Sequence, residues 1–230
     1  ELGTFKTKLI INKGTADESE KEITITVTEK GTDPVEPKAI FSITDPQVLM
    51  QEGFDVPAAA NFPPTGWTVE KPGASSQQWK AGNPNSSNFN TIDENSTYSA
   101  VIAYDDNSIV DTWLKSDIIS VPEHATLEFY AGYSGSWLSG GYMTLYASTD
   151  GGITWSDKLW TNGTDDIPGL AWTWTQQKVD LSAYVGKDVR FAWQYYGQGG
   201  DLAGIDGVNI SAYEPDVKMN INVGDYINIK

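Results

Sequence analysis

The sequence has no cysteine, a single histidine (His124) and a single arginine (Arg190). Without cysteine there is no disulfide framework, thiol nucleophile, iron–sulfur cluster or zinc knuckle. One histidine excludes a multi-histidine metal site and leaves one candidate imidazole base. No G-x-S-x-G, HExxH or phosphate-binding glycine loop is present. We therefore predict no catalytic residues and a protein that is not an enzyme.

Basic residues are also few. The 230 residues include 15 Lys and Arg against 31 Asp and Glu, so the net charge is −16. Phosphate backbones are bound by basic clusters, and this balance argues against a nucleic-acid partner. No apolar run approaches the roughly 18 residues of a membrane-spanning helix. No apolar signal-peptide segment opens the chain, as expected of a cytosolic or an already processed protein.

The residues that are present predict an all-β fold. Polar and apolar residues alternate over short segments bounded by Gly, Asn, Asp, Ser and Pro, which is typical of half-buried strands. No window holds a helical period, so an antiparallel sandwich is the expected class. The clearest predicted strands are Ile23–Thr28, Thr126–Ala131, Tyr142–Ser148, Gln177–Leu181 and Val189–Tyr195.

The chain divides unevenly into segments. Residues 1–33 hold two predicted strands, a hairpin that is marginal alone. Residues 34–38 carry prolines and predict a stiff linker. Residues 39–213 form the main domain, and residues 214–230 predict an extension with one more strand.

The main domain resembles the cleaved-adhesin, or choice-of-anchor J, domain family. The resemblance covers about 175 residues and rests on motifs that occur in the order of the family. These are Glu52–Asp55 (EGFD), Phe62–Trp67 (FPPTGW), Asp111–Ile119 (DTWLKSDII), Tyr146–Gly152 (YASTDGG), Val179–Lys187 (VDLSAYVGK) and Ile205–Ile210 (IDGVNI). The first 28 residues resemble the end of a PKD-like domain.

This resemblance implies a jelly-roll β-sandwich from a secreted or surface-anchored bacterial protein, acting in adhesion and binding calcium structurally. It brings Glu52 and Asp55 next to Asp206, with Gly207 standing where the family often has a second Asp. Ca²⁺ prefers six to eight oxygen ligands from carboxylates and carbonyls of loops. Further candidate ligands are Asp105, Asn107 and Asp111, then Asp165, Asp166 and Asp201, and the alternative for all of them is solvated turn carboxylates.

Aromatic residues offer a second kind of site. Phe191, Trp193 and Tyr195 share one face of a predicted strand, so we expect them in the core. Trp137 lies in a Gly- and Ser-rich stretch that predicts a loop, and a loop tryptophan suits stacking on a sugar ring. Trp172 and Trp174 share another face, which is either core or an open sugar-binding surface.

Residues 148–155 match one Asp-box, S-x-D-x-G-x-T-W. A sialidase would need repeated boxes and several arginines. We interpret this single box as a folding motif in which Asp150 caps the turn and Trp155 packs the hairpin.

The sequence thus predicts a non-catalytic, calcium-stabilised adhesion module that binds a host or matrix protein or a glycan, as a monomeric part of a longer surface protein. Three alternatives remain. One is a carbohydrate-binding module that serves a separate hydrolase, and another is a structural spacer. The third is a glycosidase, which needs only two carboxylates and is not excluded by counting.

Overall fold

The chain forms two compact units, residues 1–45 with 214–230 and residues 46–213. The computed structural model describes residues 3–11, 19–28, 46–55, 61–82, 97–133, 141–162, 173–213 and 219–222.

The first unit contains a three-stranded sheet. Its strands are β1 (Gly3–Ile11), β2 (Ser19–Thr28) and β14 (Met219–Asn222). β2 is central, pairing antiparallel with β1 and parallel with β14. The two predicted N-terminal strands and the predicted C-terminal strand therefore share one sheet.

The second unit contains the remaining strands and a short 3-10 helix, Ser182–Tyr184. None of the described segments is a helix long and apolar enough to cross a membrane. The strands are β3 (Gln47–Glu52), β4 (Thr68–Glu70), β5 (Lys80–Gly82), β6 (Ser99–Ile102), β7 (Val110–Ser120), β8 (Ala125–Tyr133), β9 (Gly141–Ser148), β10 (Asp157–Thr161), β11 (Thr173–Asp180), β12 (Asp188–Gly197) and β13 (Ala203–Ala212).

These strands make two antiparallel sheets. One has five strands in the order β10-β9-β12-β7-β4, and the other runs β11-β8-β13-β6-β5 with β3 added beside β13. Apart from the pairs β9–β10 and β5–β6, neighbours in each sheet are distant in sequence, as in a jelly roll. The predicted all-β antiparallel sandwich is confirmed.

The core lies between the two sheets and follows from alternation along the strands. On β12, Phe191, Trp193 and Tyr195 are buried, as the sequence predicted. The Trp193 ring stacks on Trp67 at 5.7 Å and meets the edge of Phe129, from the other sheet, at 5.5 Å. Since such contacts fix the inward faces, they also decide which side chains point outward.

The Asp-box is a folded turn, as predicted. Asp150 accepts hydrogen bonds from the backbone N–H groups of Ile153 and Thr154 and from the Thr154 hydroxyl. The backbone of Gly151 and Gly152 has positive φ, which glycine tolerates best. Beyond the turn, Trp155 packs on the outer face of the five-stranded sheet.

Candidate ligand-binding face

The outer face of the five-stranded sheet carries aromatic and amide side chains at its centre. Because β9 and β12 are neighbours, Tyr142 lies opposite Tyr196 and Thr144 lies opposite Gln194. The inward residues between them on β9 are buried core, so these four side chains point away from it. Tyr142 and Tyr196 are 49% and 48% exposed, which leaves two adjacent phenol rings open to a ligand.

A groove of about 370 Å³ runs over these residues. β10 forms its second wall. We call it the outer-face groove, and it is lined by Tyr142, Thr144, Tyr146, Lys158, Thr161, Asn162, Gln194 and Tyr196. From Tyr142 to Tyr146 it extends about 13 Å along β9, a span suited to an oligomer rather than to a single small ring.

The floor of the outer-face groove has fixed polar groups. Asn162 is 3% exposed, and its Oδ1 accepts a hydrogen bond from the Met143 N–H at 2.8 Å. That bond fixes which side-chain atom is the amide nitrogen. Within the described part of the chain, no hydrogen bond from Asn162 Nδ2 to protein is recorded. The Thr161 hydroxyl lies 3.2 Å from the Met143 carbonyl and 3.0 Å from the Thr144 hydroxyl.

Beside the groove lies an aromatic platform, which we define as Trp113, Tyr146 and Trp155. The ring of Trp113 is 5.3 Å from that of Tyr146 and 5.8 Å from that of Trp155. Trp113 and Tyr146 come from the two strands that flank β12, where Tyr146 lies opposite Ala192 and Trp113 lies opposite Gln194. Tyr146 belongs to both groove and platform, so the two form one continuous surface.

Two polar contacts hold the platform in place. Asp111 Oδ1 accepts hydrogen bonds from the Trp113 indole N–H at 2.9 Å and from Gln194 Nε2 at 2.8 Å. Both bonds hold side chains of the outer face. The buried Lys115 ammonium lies 5.2 Å from the Trp155 ring centre, within cation–π range.

The charge of the groove differs from that of the whole chain. Among its described lining residues there is one lysine, Lys158, and no carboxylate. The chain has about two acidic residues for each basic one. An acid/base pair of carboxylates, which glycoside hydrolysis requires, is therefore not part of the lining described.

The predicted calcium ligands of the chain's opening and closing segments lie near one edge of the other sheet. Glu52 ends β3 and lies opposite Val208 on β13, two residues beyond Asp206. Burial raises the pKa of Glu52, and the neighbouring Asp55 charge raises it further. Asp206 is buried and accepts a hydrogen bond from the Ser99 hydroxyl at 2.7 Å. The backbone N–H groups of residues 97 and 98 donate to Asp55 Oδ1.

Asp55 and Asp206 contact the same short segment, residues 97–99. No three His, Cys, Asp or Glu side chains come together as metal ligands anywhere in the described ranges. The described residues alone therefore do not make a closed calcium site. Calcium stays a prediction of the sequence.

The remaining predicted ligands have other partners. Asp105 accepts hydrogen bonds from the Ser75 hydroxyl and from the N–H groups of Asn107 and Ser108, which lower its pKa. Asp111 anchors the platform, as described above. Asp201 accepts a hydrogen bond from the Leu202 N–H. Asp165 and Asp166 lie outside the described residues.

The predicted sugar-stacking tryptophans are not in the groove as described. Trp137 and Trp172 lie outside the described residues. Trp174 is half-buried on β11, in the other sheet, and lies opposite Gly132.

Sequence reasoning missed the groove and the platform. Tyr142 and Tyr146 alternate on a strand that the sequence did predict, and Tyr196 and Gln194 do the same on β12. The sequence does show aromatic residues on the outward face of both strands. They indicate a shared surface only once β9 and β12 are known to be neighbours.

The sequence matches no protein-family model and no curated protein. The fold does match solved structures. The K3 cleaved adhesin domain of Lys-gingipain from Porphyromonas gingivalis W83 is 20% identical with a TM-score of 0.55, over 73% of this chain and 99% of that one. The K1 domain is 20% identical with a TM-score of 0.54, over 72% and 98%. The K2 domain is 15% identical with a TM-score of 0.54, over 70% of this chain and 96% of that one.

The protein is thus a β-sandwich module. Its main unit has the fold of the cleaved adhesin domains, as the motifs had indicated. At 15–20% identity the likeness extends to the fold, and function must be argued from the site.

Proposed function

We propose that this chain is a non-catalytic binding module of an extracellular bacterial protein, and that its outer-face groove and aromatic platform bind a glycan. The observation that carries this proposal is the Trp113–Tyr146 ring contact at the edge of an open groove lined by amides and hydroxyls. Sugar rings present apolar C–H faces for aromatic stacking and hydroxyls for hydrogen bonds. Binding sites of this kind combine apolar walls with a few placed polar groups.

The platform suits this role because its rings are held before any ligand arrives. Asp111 fixes the Trp113 indole, and Lys115 lies close to the Trp155 ring. A preorganised ring loses little conformational freedom on binding, so more of the contact free energy appears as affinity. The half-exposed Tyr142 and Tyr196 extend the same surface to the far end of the groove.

The proposal of a non-catalytic module is supported by the lining. Tyrosine, threonine and amide side chains dominate it, and its described residues include no carboxylate. Such groups bind and orient a ligand but supply no acid/base pair. An extracellular location is supported by analogy with Lys-gingipain, whose cleaved adhesin domains share the fold.

Calcium remains part of the proposal for the other sheet. Glu52 and Asp55 are mutually repulsive carboxylates at one edge, and a bound cation would relieve that repulsion. Other oxygen ligands would have to complete the coordination, because the described residues supply no group of three.

The glycan proposal is tested by glycan-array screening, followed by calorimetry with the best oligosaccharide. We expect Tyr142→Ala and Tyr196→Ala each to weaken binding about tenfold through lost stacking. Ligand binding should also change the tryptophan fluorescence, since Trp113 and Trp155 border the groove.

Tyr213→Ala is the matched control, because Tyr213 is 54% exposed and follows β13 of the other sheet. Circular dichroism and thermal unfolding verify that each variant is folded. An array with no hits would overturn the proposal. Equal losses in the groove variants and in Tyr213→Ala would also overturn it.

A further inference from the structure

We infer that the outer-face groove selects acidic glycans, with the Lys158 ammonium binding the anionic group of a sugar acid. This inference rests on the proposed function and names the class of ligand for the same groove. Lys158 lies on β10 opposite Tyr146, where the groove meets the platform. An anion bound there would belong to a sugar whose ring contacts Tyr146.

Lys158 differs from most lysines of the second unit in its contacts. Four of the six lysines in the second unit have recorded partners. The ammonium groups of Lys115 and Lys178 form ion pairs with glutamates, and those of Lys71 and Lys187 donate to backbone carbonyls. In the described residues, Lys158 and Lys80 have no recorded ion pair or hydrogen bond, and only Lys158 lines the groove.

The charges around Lys158 also matter for an anionic ligand. A carboxylate beside Lys158 would compete with an anionic ligand, and the described lining contains none. Within a Debye length of about 8 Å at physiological salt, the nearest charges dominate over the net charge of the whole chain. Lys158 is thus the charged side chain among the described lining residues, and the nearby Asp111 carboxylate is engaged by Gln194 Nε2 and the Trp113 indole N–H.

Asn162 offers a hydrogen-bond donor in the same groove. Asn162 Nδ2 has no recorded protein acceptor in the described ranges, although the residue is more than nine-tenths buried at the groove. Among the described residues, the fully buried polar side-chain atom without a partner is Trp193 Nε1. Asn162 Nδ2 is therefore open to the groove, where it can donate to a ligand that brings acceptor oxygens. Carboxylates and sulfates carry more acceptor sites than a sugar hydroxyl, and they donate nothing in return. Lys158 and Asn162 thus favour the same kind of ligand.

The test measures binding of hyaluronan oligosaccharides, whose anionic groups are uronate carboxylates, and of the same oligosaccharides after carboxyl reduction. Chondroitin sulfate oligosaccharides form a third arm, which separates sulfate from carboxylate recognition. We expect the wild-type protein to bind at least one anionic probe about tenfold more tightly than the carboxyl-reduced probe. Raising NaCl should weaken only the anionic complexes.

Lys158→Met keeps the aliphatic stem and removes the charge, and Lys80→Met is the matched control. We expect Lys158→Met to reduce the preference for the anionic probe to about onefold, with the reduced probe bound as before. Lys80→Met should leave both affinities unchanged.

Each contrary outcome identifies which proposal fails. Tight binding of the neutral probe that Tyr196→Ala weakens, with no anionic preference, would overturn this inference and keep the glycan proposal. A preference for the anionic probe that survives in Lys158→Met would likewise overturn this inference and keep the glycan proposal. No binding of any glycan, here or on the array, would overturn both.

Discussion

The Lys115 ammonium lies 2.6 Å from the Glu70 carboxylate, and the two side chains differ sharply in exposure, at 5% and 61%. The lysine is buried beside the aromatic platform, whereas its partner is largely solvated. Removing the glutamate charge would leave a buried cation beside the rings of Trp113 and Trp155, without the anion that it pairs with among the described residues. The pair therefore links the stability of the sheet to the binding surface.

We predict that Glu70→Gln lowers the free energy of unfolding by about 1 kcal/mol, because solvent screens the exposed partner while Lys115 stays buried. Urea denaturation gives the measurement. Glu123→Gln is the control, since Glu123 is 81% exposed and lies 3.9 Å from His124 Nε2, and it should change stability by less than about 0.5 kcal/mol. Equal effects of the two substitutions would contradict this interpretation.

The Asp-box turn predicts a specific acid dependence. Hydrogen bonds from Ser148 and Thr154 hold the pKa of Asp150 well below its usual range. A carboxyl group with a lowered pKa contributes stability above its ordinary value, near 4, and loses it as pH falls through the folded value. Asp150→Asn should therefore lower the unfolding midpoint at pH 7, and the deficit should shrink steadily below about pH 4.

Thermal unfolding from pH 7 to pH 2 tests this dependence. Asp106→Asn serves as the control, because Asp106 is exposed and no hydrogen bond to its side chain is recorded in the described residues. A deficit for Asp150→Asn that stays constant with pH would show that lost packing, rather than the charge, is responsible.

The sequence allowed the fold to be predicted because alternation fixes strands wherever one face is buried. Phe191, Trp193 and Tyr195 alternate with polar or small residues, so their strand and their core role followed directly. Predicting the groove also requires knowledge of which strands are neighbours. Tyr146 and Trp113 are far apart in sequence and meet only because β9 and β7 both flank β12, and alternation carries no information on which strands are neighbours.

The same limit applies to charge. The sequence does not distinguish the environments of Lys115 and Lys158, because each lies in a strand two residues from a tryptophan. Only the fold shows that one is buried beside Glu70 and that the other lines a groove without carboxylates. Asp111 is a further example, since a surface carboxylate suggested a metal ligand and its recorded partners are Trp113 and Gln194.

Glu52 predicts the opposite pH response to Asp150. Burial, and then the Asp55 charge, raise its pKa, so the folded protein binds a proton there more readily than the unfolded chain does. The stability that this group contributes is fully present below its ordinary pKa, about 4.3. It is lost as the pH rises through the pKa of the folded protein. In chelator at pH 7, Glu52→Gln should thus raise the unfolding midpoint.

The glutamine keeps Oε1, which accepts the Phe54 N–H at 2.6 Å. The gain should disappear near pH 4, where wild-type Glu52 is protonated. A lower midpoint for Glu52→Gln at pH 7 would contradict the assignment of a raised pKa.

Calcium should reverse that comparison if the predicted site exists. A ligand that binds only the folded state stabilises it by about 2.7 kcal/mol at a hundredfold excess over its dissociation constant. We predict that millimolar Ca²⁺ raises the midpoint of the EDTA-treated wild type and that Asp55→Asn loses most of this rise. Differential scanning calorimetry measures both. An unchanged wild-type midpoint would overturn the calcium proposal, and so would an equal loss in Asp106→Asn.

Trp174 and Gly132 provide the last prediction. A Cβ added at Gly132 would lie 2.8 Å from Cε3 and Cζ3 of the Trp174 ring, closer than real side chains approach. Gly132→Ala must therefore displace the indole, and we expect it to cost about 1–3 kcal/mol of unfolding free energy. Urea denaturation measures the loss.

The reason is tested by a double-mutant cycle. With Trp174→Ala in place there is no ring to displace, so Gly132→Ala should then cost much less unfolding free energy. We expect a coupling free energy between the two substitutions of about 0.5–3 kcal/mol. Equal costs in both backgrounds would place the strain in the β8 backbone instead. A strong coupling would mean that Gly132 is required for the packing of the Trp174 ring, because any larger residue occupies the space of the indole.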